Sequence, residues 1–394
     1  MKITGVTTFP VAVPAPQKGG RVWLFLRLDT DAGISGYGEV MMLACAFRPR
    51  VMAGMVEDLV TGRLVGHDPH DVELLWETLY ARAGYSHYPE QTKLAIISGV
   101  EMACWDIVGK DAGRPIHRLL GGAVRDRVRT YTYIYPDESQ GMSSHELWVR
   151  PEAVAERARH YADQGFTGVK LDPFGSALTD SQSLGQVIPV QYSLEALDIA
   201  EEVTRRIREA VGSRCDILIG THGQMTAAGA IRLAKRLEPY DPLWFEEPVP
   251  PENMAEMALV ARGTSIPITT GERLTTKYDF ARLIRYQAAA IFNLDVGQVG
   301  GILEAKKIAA MAEAHYLQIS PHVYGGPLIA AASVQVATCC PNFLIMESIE
   351  QFGWLHAELL DVPLTWRDGY LVPSGRPGLG HDLNEDVARR LAAR

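Results

Sequence analysis

Residues 266–295 read IPITTGERLTTKYDFARLIRYQAAAIFNLD, and this stretch contains one complete repeat of the predicted fold. The apolar run Ile266–Thr269 predicts a strand, which Glu272 follows. Sequence of helical character then leads to a second apolar run, Ile291–Leu294, which ends at Asp295. Strands that alternate with helices pair in parallel, because each helix carries the chain back across the sheet. The stretch therefore predicts parallel strands with an acidic side chain near each strand end.

The same arrangement recurs along the chain after about Arg125. Seven polar side chains lie within or just after apolar runs: Lys170, His222, Glu246, Glu272, Asp295, His322 and Glu347. From His222 onward the gaps are 24, 26, 23, 27 and 25 residues, close to the strand–helix period of an eight-unit barrel of about 250 residues. The first gap, of 52 residues, contains a predicted loop over the mouth from Asp172 to about Gln191. The spacing favours a modified (β/α) barrel, of TIM type, over a large open doubly wound sheet.

Composition and charge exclude several classes of function. The 47% of hydrophobic and 22% of charged residues are typical of a globular protein. With 38 basic against 47 acidic residues, the net charge of −9 provides no attraction for nucleic acid or an anionic membrane, so neither is an expected partner. The N-terminus lacks the apolar core of a signal peptide, and the five cysteines have no C-x-x-C spacing. A reducing, cytoplasmic location is therefore expected.

Two carboxylates lie at the ends of neighbouring predicted strands. Glu246 is in Trp-Phe-Glu-Glu-Pro-Val and Glu272 is in Thr-Thr-Gly-Glu-Arg. They would repel each other unless a divalent cation such as Mg²⁺ lay between them, so the pair indicates a metal site. The alternative is that one of them pairs with Arg273 or another cation of the rim. Asp295 lies one strand before His322 and could raise the basicity of its imidazole, which predicts a general base rather than a histidine buried in the core.

Short motifs occur along nearly the whole chain. They are Gly36-Tyr37-Gly38-Glu39, residues 102–110, Leu119-Leu120-Gly121-Gly122, Glu246-Glu247-Pro248, Gly271-Glu272, Asp295 with Gly300-Gly301, Pro321-His322 and Glu347. Together they resemble the enolase superfamily, mandelate racemase subgroup, and among its members the acid-sugar dehydratases of the galactonate dehydratase type. The resemblance implies an α+β capping domain at residues 1–125, a (β/α) barrel at 126–355, and a C-terminal tail at 356–394 that completes the capping domain.

The resemblance also implies how a carboxylate substrate would be activated. Glu246 and Glu272 match ligands of Mg²⁺, which would clamp the substrate carboxylate. His322 and Asp295 match a catalytic dyad in which the histidine removes the proton on the carbon next to that carboxylate. The implied intermediate is an enediolate, stabilised by positive charge.

Three further positions match the family and two depart from it. Glu347 matches a hydrogen-bond donor to the substrate carboxylate, and Lys170 matches the first lysine of a K-x-K motif that helps to hold it. His222 matches the histidine that protonates a departing β-hydroxyl. The second lysine of K-x-K is Asp172, and the expected metal-binding carboxylate of the third strand is Gly220. Loss of the lysine favours elimination over racemisation, and we expect Asp172 to replace the missing ligand.

The expected function is Mg²⁺-dependent dehydration of a sugar acid, an aldonate or aldarate, to a 2-keto-3-deoxy acid, by a homo-oligomer. Candidate rim residues for a hydroxylated substrate are Tyr85, His87, Tyr133 and Trp354. One alternative is an isomerase, epimerase or cycloisomerase that acts on a sugar acid or its lactone. The other, suggested by Gly220, is a relative that binds acid sugars without turnover.

Overall fold

A three-stranded antiparallel sheet begins the chain, in a computed structural model that describes residues 1–42, 48–81, 87–174 and 188–393. Its strands are β1 (Ile3–Ala12), β2 (Val22–Thr30) and β3 (Ser35–Val40). β2 pairs with both neighbours. β1 contains Pro10, which is tolerated because this strand lies at the edge of the sheet.

Four helices follow this sheet within the described residues up to Leu119. They are α1 (Pro49–Arg63), α2 (Val72–Ala81), α3 (Gln91–Asp111) and α4 (Ile116–Leu119). α3 packs directly on β3, where a Cβ atom on Gly38 would collide with the carbonyl oxygen of Gly99. Glycine at this position is therefore required by the close approach of helix and sheet.

Eight parallel strands form a closed barrel in the described part of the chain. They are β4 (Val128–Tyr133), β5 (Gly168–Leu171), β6 (Asp216–Gly220), β7 (Trp244–Glu246), β8 (Ile268–Thr270), β9 (Ile291–Phe292), β10 (Gln318–Ile319) and β11 (Met346–Ser348). β11 pairs with β4. A parallel bridge between Ile319 of β10 and Phe343, three residues before β11, closes the ring. The predicted barrel is confirmed, and the open sheet is wrong.

Helices surround the barrel and connect its strands. They are α5 (Ser144–Leu147), α6 (Pro151–Asp163), α7 (Leu194–Val211), α8 (Ala227–Leu237), α9 (Met254–Gly263), α10 (Thr276–Tyr286), α11 (Ile302–Glu313) and α12 (Pro327–Cys339). α12 is buried on every side, and Glu39 of β3 accepts hydrogen bonds from the amides of Leu328 (3.1 Å) and Ile329 (3.0 Å) at its first turn. This carboxylate fastens the N-terminal sheet to the barrel.

The C-terminal segment contacts both parts of the fold. Its elements are α13 (Leu355–Glu358), β12 (Thr365–Arg367), β13 (Tyr370–Val372) and α14 (Glu385–Arg390). β13 pairs with β4 of the barrel, whereas the Ala393 amide donates to the Pro10 carbonyl of β1 at 2.8 Å. The domain limits at residues 125 and 355 stay a prediction. No described helix has the length and apolar character needed to cross a membrane.

Candidate active site

The carboxyl ends of the barrel strands bring the predicted polar side chains together. The side chain of His222 is partly exposed. The other six are buried: Lys170, Glu246, Glu272, Asp295, His322 and Glu347. His322 connects several of them, because its Nε2 lies 3.6 Å from Glu272 Oε2 and 3.5 Å from Glu347 Oε2. The C-terminal ends of the strands therefore bring imidazole and carboxylate groups together, where barrel enzymes place their catalytic residues.

His322 and Asp295 form a close pair. His322 Nδ1 lies 2.6 Å from Asp295 Oδ2, and the Gly297 amide donates to Asp295 Oδ1 at 2.7 Å. The carboxylate thus fixes the ring and leaves Nε2 facing Glu272 and Glu347. Burial lowers the pKa of His322, but the carboxylates of Glu347, Glu272 and Asp295 outweigh it and raise that pKa to about 10. A positive charge bound at Glu272 or Glu347 would therefore lower the pKa of His322 and favour its neutral, basic form.

Glu246 and Glu272 are in contact but differ in their surroundings. Glu246 Oε1 accepts from Lys170 Nζ (2.7 Å) and Asn293 Nδ2 (2.6 Å), and its Oε2 accepts from Trp244 Nε1 (3.0 Å). Glu272 Oε2 is buried without a hydrogen-bond partner in the described structure. Burial raises the pKa of Glu246 to about 8; Lys170 opposes this change and Glu272 adds to it.

The surroundings of Glu272 have the opposite effect. Burial raises the pKa of Glu272, but the positive charges of His322, His222 and Lys170 outweigh it, so this pKa lies well below its usual range. An ionised, buried oxygen without a donor beside a second carboxylate fits a hard divalent cation. Mg²⁺ keeps several waters and needs only one or two protein carboxylates. The residues Glu246 and Glu272 therefore fit such an ion.

The alternative, in which Arg273 or another cation of the rim pairs with one of the two glutamates, applies to Glu246, but its partner is not Arg273. Arg273 Nη2 lies 2.5 Å from Glu247 Oε2, so this arginine serves the residue after Glu246. Lys170 is the cation that pairs with Glu246 itself. Asn293 and Trp244 had no predicted role, and their only signal in the sequence was a polar group within or at the start of an apolar run.

Both oxygens of Asp172 accept hydrogen bonds from other protein groups, and its role as the third metal ligand stays a prediction. Its Oδ1 accepts from the Phe174 amide at 3.0 Å, and its Oδ2 accepts from Gln224 Nε2 at 2.5 Å. Among the described residues no set of three or more His, Cys, Asp or Glu side chains is arranged to hold a metal ion. Asp172 lies one residue beyond the end of β5, where strand alternation no longer fixes the direction of a side chain.

His222 lies at the mouth of the barrel, two residues after β6. Its side chain is 43% exposed, its Nδ1 lies 3.9 Å from Asp172 Oδ2, and its Nε2 lies 3.3 Å from the hydroxyl of Tyr133. Desolvation lowers the pKa of His222, but Asp172 and Glu272 outweigh it and raise that pKa above its ordinary value. Among the described residues, Tyr133 is therefore a predicted rim residue that contacts the site. Tyr85 and residues 175–187 of the predicted loop lie outside the described residues.

Family comparisons agree with this architecture. Residues 153–387 match the family described as enolase C-terminal domain-like, and residues 3–121 match the mandelate racemase/muconate lactonizing enzyme N-terminal domain. The chain belongs to the enolase superfamily, mandelate racemase subgroup. In this superfamily member, the described N-terminal sheet and the helices that follow it lie in the match at residues 3–121, and most of the barrel lies in the match at residues 153–387.

Individual relatives cover nearly the whole superfamily member. It is 33% identical to D-galactonate dehydratase of Pectobacterium atrosepticum and 35% identical to D-galactonate dehydratase of Verminephrobacter eiseniae; each match covers 98% of this chain and 93% of the relative. A solved mandelate racemase/muconate lactonizing enzyme-like protein from Roseovarius is 41% identical, with a TM-score of 0.91 over 100% of this chain and 96% of that one. A solved protein from Labrenzia alexandrii is 50% identical, with a TM-score of 0.93 over 100% and 97%.

Proposed function

We propose that this enzyme dehydrates a sugar acid, an aldonate or aldarate, to a 2-keto-3-deoxy acid with Mg²⁺ bound. The observation that supports the proposal is that the His322–Asp295 dyad, whose Nε2 lies 3.6 Å from Glu272 Oε2, and His222, two residues after β6, occupy the same rim of the barrel. Elimination of water needs one group that takes a proton and another that gives one. The superfamily domains and the dehydratase relatives make the chain an enzyme of the hydro-lyase class.

In the proposed reaction, Nε2 of neutral His322 removes the proton on the carbon next to the substrate carboxylate. Asp295 holds the opposite ring nitrogen at 2.6 Å and stabilises the imidazolium that forms. Glu347 lies 3.5 Å from the same Nε2, and the Val323 amide donates to its Oε2 at 3.2 Å. Glu347 therefore lies where the carboxyl end of a substrate would meet the base.

Glu246 and Glu272 would hold Mg²⁺, which when bound supplies the positive charge that acidifies the substrate and stabilises the enediolate. Lys170 lies beside the same carboxylates and would add a charge-assisted hydrogen bond to the substrate carboxylate. The buried position of these groups strengthens each electrostatic interaction, because little water screens them.

His222 would deliver the proton to the departing β-hydroxyl. Its raised pKa favours the protonated form, and its exposed position at the mouth lets it reach the hydroxylated part of a sugar acid. Asp172 stands where racemases of this family have their second base, but Gln224 and the Phe174 amide occupy its two oxygens. This arrangement favours elimination over racemisation.

Product analysis tests the proposal. The purified enzyme is incubated with Mg²⁺ and a panel of aldonic and aldaric acids, and products are followed by mass spectrometry and a keto-acid assay. We expect one or a few acids to lose one water and give a keto-deoxy acid, and His322→Asn to stop the loss while circular dichroism stays unchanged. A product of unchanged mass would indicate the isomerase or epimerase alternative. Calorimetric binding of an acid without turnover of any would indicate the non-catalytic alternative.

A further inference from the structure

Glu246, which is proposed to bind the metal, forms a buried ion pair with Lys170. Lys170 and Glu246 are 0% and 1% exposed, and Lys170 Nζ lies 2.7 Å from Glu246 Oε1. The same oxygen accepts from the Asn293 amide at 2.6 Å. The ammonium is therefore an integral part of the surroundings of Glu246 when no other cation is bound.

Gly220 provides the space for this ion pair. Strands β5, β6 and β7 are adjacent, and Gly220 is in register with Glu246. A Cβ atom on Gly220 would lie 2.5 Å from Cε of Lys170 and 3.3 Å from the hydroxyl of Tyr133. The first distance is too short for two carbon atoms, so a side chain at position 220 would displace the lysine. The glycine thus removes a carboxylate from the site and at the same time admits an ammonium.

The two glutamates differ in a way that this ammonium explains. Both oxygens of Glu246 accept hydrogen bonds, whereas the buried Glu272 Oε2 has no hydrogen-bond partner in the described structure and lies 3.6 Å from His322 Nε2. A divalent cation at this pair would find Glu272 Oε2 without a hydrogen-bond donor and Glu246 already paired with an ammonium. It would have to displace or repel a fixed positive charge a few ångströms away, which weakens its binding.

We propose that Lys170 is an internal cation of this site, that it competes with a divalent metal ion for Glu246, and that Gly220 makes the competition possible. This inference rests on the proposed function of Glu246 and Glu272 as metal ligands. Binding of the metal ion releases the ammonium of Lys170, which then becomes available to an anionic substrate. The enzyme should therefore take up its metal ion before its substrate.

Metal titrations in the absence of substrate test the competition. Mn²⁺ and Mg²⁺ are titrated into metal-free protein by calorimetry, for the wild type and for Lys170→Met. We expect the variant to bind Mn²⁺ about ten- to a hundredfold more tightly, because a positive charge has left the site. Lys277→Met is the matched control: Lys277 lies 3.2 Å from the buried Glu304 on the outer helices, and its loss should leave the Mn²⁺ affinity unchanged.

Lys170→Met leaves the buried carboxylate of Glu246 without its partner and could fail to fold. A second variant keeps the test decisive in that case. Gly220→Ala keeps every charge but places a methyl group against the lysine side chain, and it should also tighten Mn²⁺ binding. Equal or weaker binding by Lys170→Met, or by Gly220→Ala where that is the folded variant, overturns the inference. Because no substrate is present, tighter binding by the variants would support it even if product analysis ruled out dehydration.

Discussion

His356 provides a quantitative test of how the N-terminal sheet, the barrel and the C-terminal segment are joined. Its imidazole is 2% exposed, and its ring centroid lies 4.6 Å from that of Trp23 and 5.4 Å from that of Phe352. Nε2 lies 3.1 Å from the Gly325 carbonyl oxygen and donates to it when neutral. Burial lowers the pKa of His356 from 6.5 to about 4, although the Gly325 contact opposes the change.

The sign of the pH effect follows from these two values. Between pH 6.5 and 4 the unfolded chain binds a proton at this histidine and the folded chain does not. Stability is therefore complete above pH 6.5 and falls by about 1.4 kcal/mol per pH unit as the pH approaches 4, a total of about 3 kcal/mol. His356→Gln keeps a donor for the carbonyl and removes the titration.

The assay is urea unfolding at pH values from 7.5 to 4, read by tryptophan fluorescence. The wild type should lose about 3 kcal/mol more of its free energy of unfolding over this range than His356→Gln does. His160→Gln is the control, because His160 lies on the exposed face of α6 and its loss should leave the wild-type slope unchanged. Equal slopes for the wild type and His356→Gln would refute the assignment of a neutral, buried histidine.

Three further predictions concern the dyad, the proton donor and the packing of α3. Asp295→Asn should lower kcat by about three to four orders of magnitude with an unchanged circular dichroism spectrum, because the imidazole loses the partner that fixes its tautomer. Asp172→Asn should lower the pKa of His222 and move the alkaline limb of the kcat profile to lower pH; an unmoved limb contradicts this role. Gly38→Ala should cost about 2 kcal/mol or more in denaturant unfolding, because its methyl group meets the backbone of α3. Gly54→Ala in α1, where a Cβ meets no described atom within 4 Å, should instead be neutral or slightly stabilising.

The sequence predicted the parts of the fold that have a regular period. Glu246 and Glu272 come from adjacent strands, and Asp295 lies one strand before His322, so their separations along the chain follow one strand–helix unit. β4 was missed because Arg129 and alternating threonines give it no continuous apolar run. The homo-oligomer and the cytoplasmic location stay predictions.

The arrangement around Glu246 could not be predicted in the same way. The position of a long side chain such as Lys170 depends on which neighbouring atoms are absent, and the absent Cβ of Gly220 leaves no pattern in the sequence. The direction of the Asp172 side chain could not be predicted for a related reason, since this residue follows a strand end and accepts a hydrogen bond from Gln224. The strand–helix spacing along the chain predicts which residues lie at the carboxyl ends of the strands, whereas side-chain packing determines which of them are in contact.

Turnover of a sugar acid deuterated at C2 tests the central claim most directly, which is that His322 takes the proton next to a carboxylate in a reaction that ends in loss of water. For whichever acid the panel identifies, the wild type should release the C2 deuterium to solvent, react more slowly than with the protiated acid, and yield a product lighter by one water. His322→Asn should leave both the deuterium and the hydroxyl in place. Retention of the deuterium in a dehydrated product, or turnover by His322→Asn at the wild-type rate, would contradict the claim.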